Sequence, residues 1–419
     1  MSDARSARRA RRAARLVAGL AMAAVGLGLT GVPAVQGSPP TRVVVGPPPG
    51  ISVTDRLDPE RRGRSSARLP RTPLERWRRS LQGALETPPL VDREGGILAW
   101  LVRGDVVRVT AEGALAWRVP LACAPSNVPL VMLSDRRVAA LCGDGTLYAL
   151  LPDGSRRVGT PLGGSARQTR ATPLARDDGS LFVALDDTLV HLSPTFEVLG
   201  RARLVASEVP TGGLLPFEGG VLVTTAAGEV WHWRPPLEPR KAGSFGGKTF
   251  DGAIGVGPRA IAAIVDSERL VLLDPVNGGV RALAYPEDDA TFEGPPSLAP
   301  TGALLVTSNV GQLYVVDPAR EDSRTLELEP RRRLAPLPAS ARRAGRDIRS
   351  GVPLVVDADG RIAYARQHGA VSFVAPRAAA PEPPPLASPC ALVRALVPMG
   401  ERRLLVACED GTLVLWSDP

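Results

Sequence analysis

A short apolar run held between two Asp-Gly turns recurs along this chain at nearly constant spacing. In one copy, Gly143-Asp144-Gly145-Thr146-Leu147-Tyr148-Ala149-Leu150-Leu151-Pro152-Asp153-Gly154, a turn, an apolar stretch and a second turn follow one another. Glycine accepts φ > 0 and aspartate tolerates it, so both pairs suit tight turns. Leu147 to Leu151 is too short for a helix and is bounded by breakers, which predicts a strand. With Leu147 as anchor, the equivalent residues are Val106, Leu189, Val230, Leu270, Leu313, Val371 and Leu413, and the successive steps are 41, 42, 41, 40, 43, 58 and 42 residues. Self-similarity at this period means a propeller, a solenoid or an array.

Each unit has the same internal order. An opening segment such as Thr172-Pro173-Leu174-Ala175 precedes the turn Asp177-Asp178-Gly179, the apolar run Leu181 to Leu185, a polar turn and the anchor strand Leu189 to Leu192. A last segment leads outward, as in Trp117-Arg118-Val119-Pro120-Leu121. That gives four short strands per unit, with no 3.6-residue periodicity of useful length, so the helical solenoids are excluded. The expected fold is all-β: an eight-bladed β-propeller of four-stranded antiparallel blades. Face-to-face packing of blades buries the middle strands on both sides and accounts for unbroken apolar runs such as Leu404-Leu405-Val406-Ala407. The eighth unit lacks an outer strand, because the chain ends at Pro419 soon after its anchor strand. Trp77 and Leu81 repeat the spacing of Trp117 and Leu121, so Arg76 to Leu81 is predicted to close the ring as that outer strand. The competing reading leaves this stretch an unpaired linker.

The repeat assigns residues 74–419 to one domain, although 419 residues alone would suggest two or three. Residues 1–35 read as a secretory signal peptide: arginines at 5, 8, 9, 11, 12 and 15, the apolar run Leu16 to Leu29, then Val32-Pro33-Ala34 at a cleavage position. An uncleaved inner-membrane anchor is the alternative, since Leu16 to Val35 just reaches spanning length. Either reading places the domain in the periplasm or outside the cell. Residues 36–73, rich in proline and arginine, are expected to be a disordered linker. The net charge of +8 is uneven: residues 1–79 hold 16 Arg and 5 acidic residues, or +11, which leaves 8 − 11 = −3 for the rest. The basic excess therefore lies outside the domain, and nucleic acid is not an expected partner.

Cys142 and Cys408 each lie five residues before an anchor; Cys123 and Cys390 lie 24 and 23 before the same two anchors. One position precedes the first strand and the other ends the second, at one end of the blade. Of three connectivities, Cys123–Cys142 and Cys390–Cys408 is favoured. Each bridge would tie two loops on one face and suit an oxidising compartment. Four buried free thiols are the other reading. No metal site is indicated, because there is no C-x-x-C and no histidine close to a cysteine.

The irregular step of 58 residues places extra chain around Pro330 to Ser350, with Arg331, Arg332, Arg333, Arg342, Arg343, Arg346 and Arg349 against one acid, Asp347. It should emerge on the cysteine face, either as a partner-binding loop built on arginine forks or as a solvated insertion. Ala378 to Pro389 reads as a stiff connector between blades. His191 and His232 occupy equivalent positions in adjacent units, two residues past their anchors, without a third ligand. No nucleophile elbow or Walker loop occurs, so no catalytic residue and no cofactor is assigned.

The units carry a further likeness. Asp105-Val106-Val107-Arg108-Val109 followed by Glu112-Gly113-Ala114-Leu115-Ala116-Trp117, and likewise Gly145-Thr146-Leu147-Tyr148-Ala149-Leu150 and Gly311-Gln312-Leu313-Tyr314-Val315-Val316-Asp317-Pro318, resemble the pyrroloquinoline-quinone-type propeller repeat. The quinoprotein dehydrogenases of that family carry adjacent cysteines, which this chain lacks. Its size and export signal resemble the non-enzymatic, BamB-like branch. That resemblance implies a monomeric exported scaffold, without cofactor, that binds a protein or an anionic envelope component. A ligand- or quinone-binding propeller with a site in its central channel is the alternative it leaves.

Overall fold

The computed structural model describes residues 54–155, 159–206, 208–287, 290–309, 312–319, 322–327, 354–365, 370–375, 386, 390–400 and 402–419. Their regular structure consists of strands, grouped in eight antiparallel sheets that form the blades of a propeller. Among the described residues no helix is long and apolar enough to cross a membrane.

Blade one shows the common plan: Leu90–Val91 innermost, then Ile97–Trp100, the anchor strand Asp105–Val109, and Leu115–Pro120 outermost. Every anchor named from the sequence sits on the third strand of its sheet. The second strands are buried along their whole length in most blades, as in Val138–Leu141 and Leu181–Ala184. Outer strands alternate and leave one side in solvent, as in Val198–Arg203. Apolar clusters form between successive blades rather than within them. One joins Leu90, Leu98, Trp100 and Val106 of blade one to Leu130, Met132 and Val138 of blade two. Equivalent clusters seal the following joints.

The ring closes through its termini. Leu74–Ser80 pairs antiparallel with Thr412–Ser417, with Trp77 opposite Leu415 and Ser80 opposite Thr412. The strand begins two residues earlier than the sequence reading placed it. Trp77 then reaches the neighbouring blade. Its Nε1 donates to the Ala111 carbonyl at 2.9 Å, and a Cβ on Gly113 would lie 2.8 Å from Trp77 Cδ2. Trp117 repeats this contact one blade on, donating to Pro152 O at 3.0 Å with its ring against Gly154. Both glycines have positive φ, +87° and +86°, so the turn needs glycine twice over: for its backbone and for the ring above it. Arg281 donates to the matching carbonyl, Pro318 O, at 2.5 Å. Ala111, Pro152 and Pro318 each lie five residues past their anchors. An outer-strand donor thus stitches each of these blades to the next, whether it is tryptophan or arginine.

Two expectations change. Leu386 bridges Val371, the anchor of blade seven, and its N–H donates to Val371 O at 3.0 Å. Leu386 therefore occupies the outer-strand position of that blade instead of lying in a plain connector. The larger change concerns residues 54–73, read from the sequence as disordered linker. Thr54, Arg56, Leu57, Asp58, Arg61, Ala67 and Leu69 are all buried. Leu57 and Leu69 join the core cluster of blades seven, eight and one. The segment runs along the inner strands, so arginine-rich composition, which normally signals solvation, marks a buried path here. Residues 1–53 and the insertion bearing Arg331, Arg332, Arg333, Arg342, Arg343, Arg346 and Arg349 lie outside the described residues.

Candidate functional site

The propeller offers two faces and a channel between its inner strands. One face carries the connections from each outer strand to the next inner strand, together with the turns between second and third strands. Both disulfides lie there. Cys123 pairs with Cys142 and Cys390 with Cys408, each with Cα atoms 6.0 Å apart. Cys142 and Cys408 follow or end their second strands, while Cys123 and Cys390 lie in the connections leading into the same blades. Each bridge fixes an inter-blade connection to a turn.

The same face displays large apolar side chains in three consecutive connections. Val205 (78% exposed) follows the outer strand of blade three, Phe250 (54%) precedes the inner strand of blade five, and Tyr285 (54%) follows its outer strand. On the opposite face a dent between blades one and two, lined in part by Asp92, Arg108, Met132 and Arg136, is crossed by ion pairs. Arg108 meets Asp92 and Glu94 at 2.8 Å, and Arg136 meets Glu94.

The channel is occupied by the chain itself. Asp55 Oδ1 accepts from Arg61 Nη1 at 2.6 Å and from Thr172 Oγ1 at 2.9 Å, where blade three begins. Arg61 Nη1 also donates to Thr172 Oγ1 at 2.7 Å. Arg56 Nη2 donates to Pro296 O at 2.5 Å and Ser297 Oγ at 3.1 Å on blade six. Glu60 O accepts from Gly255 N at 2.8 Å on blade five, and Arg62 O accepts from Leu298 N at 2.8 Å. Beyond this knot the segment runs parallel to blade seven. Gly63 O accepts from Val356 N at 3.0 Å, and Ser65 N donates to Val356 O at 2.7 Å. Leu69 N donates to Asp357 Oδ2 at 3.0 Å, and Thr72 N to Asp418 Oδ1 at 2.7 Å, which delivers the chain to the closing strand.

Charge follows this geometry. Burial pushes the Arg56 guanidinium down to about 10; Arg61 adds to this, while Asp55, Asp251 and Asp58 oppose it. Burial raises the Asp251 carboxyl, and Arg56 and Arg61 pull it back. Burial alone raises Glu293 on the inner strand of blade six. It also raises Asp357, against the backbone donors of Leu69, Arg361 and Asp359. Burial thus acts on carboxyls of the ring, while the segment's three arginines, Arg56, Arg61 and Arg62, are balanced by its own Asp55, Asp58 and Glu60. Sequence reasoning missed this site. The available signals were the alternation of acids and arginines from Asp55 to Arg62 and the glycines at 213 and 255, whose inner-strand positions have no turn to explain them.

The paired histidines go elsewhere. His191 stacks on Phe182 across the strand pair, centroids 4.3 Å apart and planes 9° apart. His232 meets Phe217 edge-on at 5.1 Å. Burial lowers both imidazoles and favours their neutral forms. Among the described residues no cluster of three metal-ligating side chains occurs.

No family model matches the chain, and no curated protein does. Solved structures do. BamB from Moraxella catarrhalis superposes with a TM-score of 0.52 at 14% identity, covering 82% of this chain and 85% of that one. The computationally designed Ika8 protein superposes with a TM-score of 0.60 at 13% identity, covering 84% of this chain and all of that one (100%). The likeness is one of fold. It extends around the ring, and at such identity it carries no residue roles from one chain to another.

Proposed function

We propose that the chain is an exported, non-catalytic β-propeller scaffold that binds a protein partner in the cell envelope through its disulfide-bearing face. The observation that carries this reading is the coincidence on one face of two loop-tying disulfides with three exposed apolar side chains, Val205, Phe250 and Tyr285. Rigid loops lose little entropy when they bind, and clustered apolar and aromatic groups favour protein contact. Disulfides belong to oxidising compartments, which agrees with the arginine-led apolar leader read from the sequence. The fold likeness to BamB supports a scaffold without identifying its partner. The insertion from Arg331 to Arg349 is flanked by an outer strand and the next inner strand, so its ends belong to the same face; we assign it an auxiliary role toward an acidic partner surface.

The test is site-specific photocrosslinking in living cells. A photoreactive residue at Phe250 or Tyr285 should trap one protein, whereas the same residue at Leu237, exposed in a turn on the opposite face, should not. Deleting residues 331–349 should weaken that crosslink. Equal crosslinking from both faces, or none from either, would remove the proposal.

A further inference from the structure

The channel wall is shaped to the segment that fills it. Gly213 lies on the inner strand of blade four, and a Cβ there would overlap the Arg61 side chain; its three nearest atoms are all of Arg61. Gly255 lies on the inner strand of blade five, and a Cβ there would sit 3.0 Å from Glu60 Cβ, with Glu60 again supplying all three nearest atoms. Neither glycine has a positive φ, although both lie at β-bulges of their strands. The three atoms nearest each missing side chain belong to the segment, so its absence leaves room for the segment. The wall also supplies polar partners: the Thr172 hydroxyl for Arg61, the Pro296 carbonyl and Ser297 hydroxyl for Arg56, and the Gly255 amide for a backbone carbonyl.

Two buried guanidinium atoms, Arg56 Nη1 and Arg61 Nε, have no hydrogen-bond partner among the described residues. A segment that existed only to fill a core would be cheaper as leucine, because a buried unpaired donor costs free energy that an apolar side chain does not. Arginine in such a place is instead what recognition uses, since its fork reads carbonyls and carboxylates directionally.

We propose that the mid-channel, walled by the inner strands of blades three to six, is a binding site for an arginine-bearing peptide loop, occupied intramolecularly by residues 55–63. A partner displaying two arginines five residues apart beside aspartate competes for the same wall. The site is distinct from the exposed face and does not depend on what that face binds.

Two measurements on the full chain test this. In the first, limited trypsin digestion compares the natural chain with Gly213→Ala and Gly255→Ala. Each added methyl crowds only the segment, so cleavage after Arg56 and Arg61 should rise about tenfold while the ring's thermal midpoint stays near that of the natural chain. In the second, the double variant Arg56→Glu/Arg61→Glu removes the donors to Pro296, Ser297 and Thr172 and sets a carboxylate in place of Arg61 beside Asp55. A labelled synthetic peptide of residues 54–63 should then bind the double variant saturably and bind the natural chain at least about tenfold more weakly, because there the site is filled. A scrambled peptide should bind neither. The proposal fails if the glycine variants stay as protected as the natural chain, or if the peptide binds neither protein. It fails equally if the double variant does not fold, since the segment would then be core rather than ligand.

Discussion

Replacing Trp77 by alanine tests the closure of the ring at its single seam. The indole is half-buried, donates to Ala111 O at 2.9 Å and lies against Gly113 of blade one. Roughly 100 Å² of ring is held out of water, worth roughly 2.5 kcal/mol at about 25 cal/mol per Å². The hydrogen bond adds about 1 kcal/mol. Trp77→Ala should therefore cost about 3.5 kcal/mol, and Trp77→Phe, which keeps the stacking, about 1 kcal/mol. The location of the loss matters more than its size. Trp117→Ala removes the same contacts from a blade whose four strands are contiguous in sequence, so its cost should appear in the global urea transition. At the seam the covalent chain does not cross, and only the pairing of Leu74–Ser80 with Thr412–Ser417 completes blade eight. Hydrogen exchange measured by mass spectrometry should show faster opening of Thr412–Ser417 in Trp77→Ala well before the global transition, and no such local opening in Trp117→Ala. Unchanged exchange at Thr412–Ser417, or identical behaviour of the two variants, would refute the seam.

Three further outcomes follow from other contacts. The two disulfides close loops of 19 and 18 residues, so mutating either pair to serine should lower stability by about 3 kcal/mol through loop entropy, read as a shift in the urea midpoint. Burial raises the Glu293 carboxyl, with no opposing cause among the described residues. An acid whose folded value lies above its unfolded value favours folding below the unfolded value, and that advantage is lost as pH rises through the folded one. Glu293→Gln should therefore melt higher than the natural chain near neutral pH and equally near about pH 3. Gly113→Ala, with φ at +87° and the indole of Trp77 against it, should destabilise the seam at least as much as Trp77→Phe.

The parts of this molecule that repeat were legible in its sequence, and the part that does not repeat was hidden. Val106, Leu189 and Leu413 could be placed on equivalent strands because each blade solves the same packing problem with the same turn chemistry. Trp77 could be matched to Trp117 because both answer one local demand, an indole above a glycine turn. The count of eight anchors even located the seam. Arg281, doing for blade six what Trp117 does for blade two, escaped notice because its donor is chemically unlike an indole, although it reaches the matching carbonyl. Residues 54–70 escaped for a deeper reason. Their burial depends on a channel that exists only once eight blades stand in a ring, and no local property of Arg56 or Arg61 encodes it. The cue lay far away, in Gly213 and Gly255, and it becomes intelligible only when the wall and the segment are seen together.

That occupied channel bears on the alternative of a small-molecule site on the propeller axis. A planar ligand seated between the inner strands would compete for the space held by Arg56, Arg61 and Glu60, whose backbone and side chains engage blades three, five and six. Its binding free energy would have to exceed that of the contacts it displaces, and the displaced arginines would enter solvent. Adding quinone with calcium to the full chain therefore has a sharp double readout. If the channel belongs to the segment, trypsin cleavage after Arg56 and Arg61 and the thermal midpoint should both stay where they were. A ligand that belongs there should raise the midpoint and expose both arginines together. A rise in midpoint with the arginines still protected would place the ligand away from the wall that holds Arg56 and Arg61.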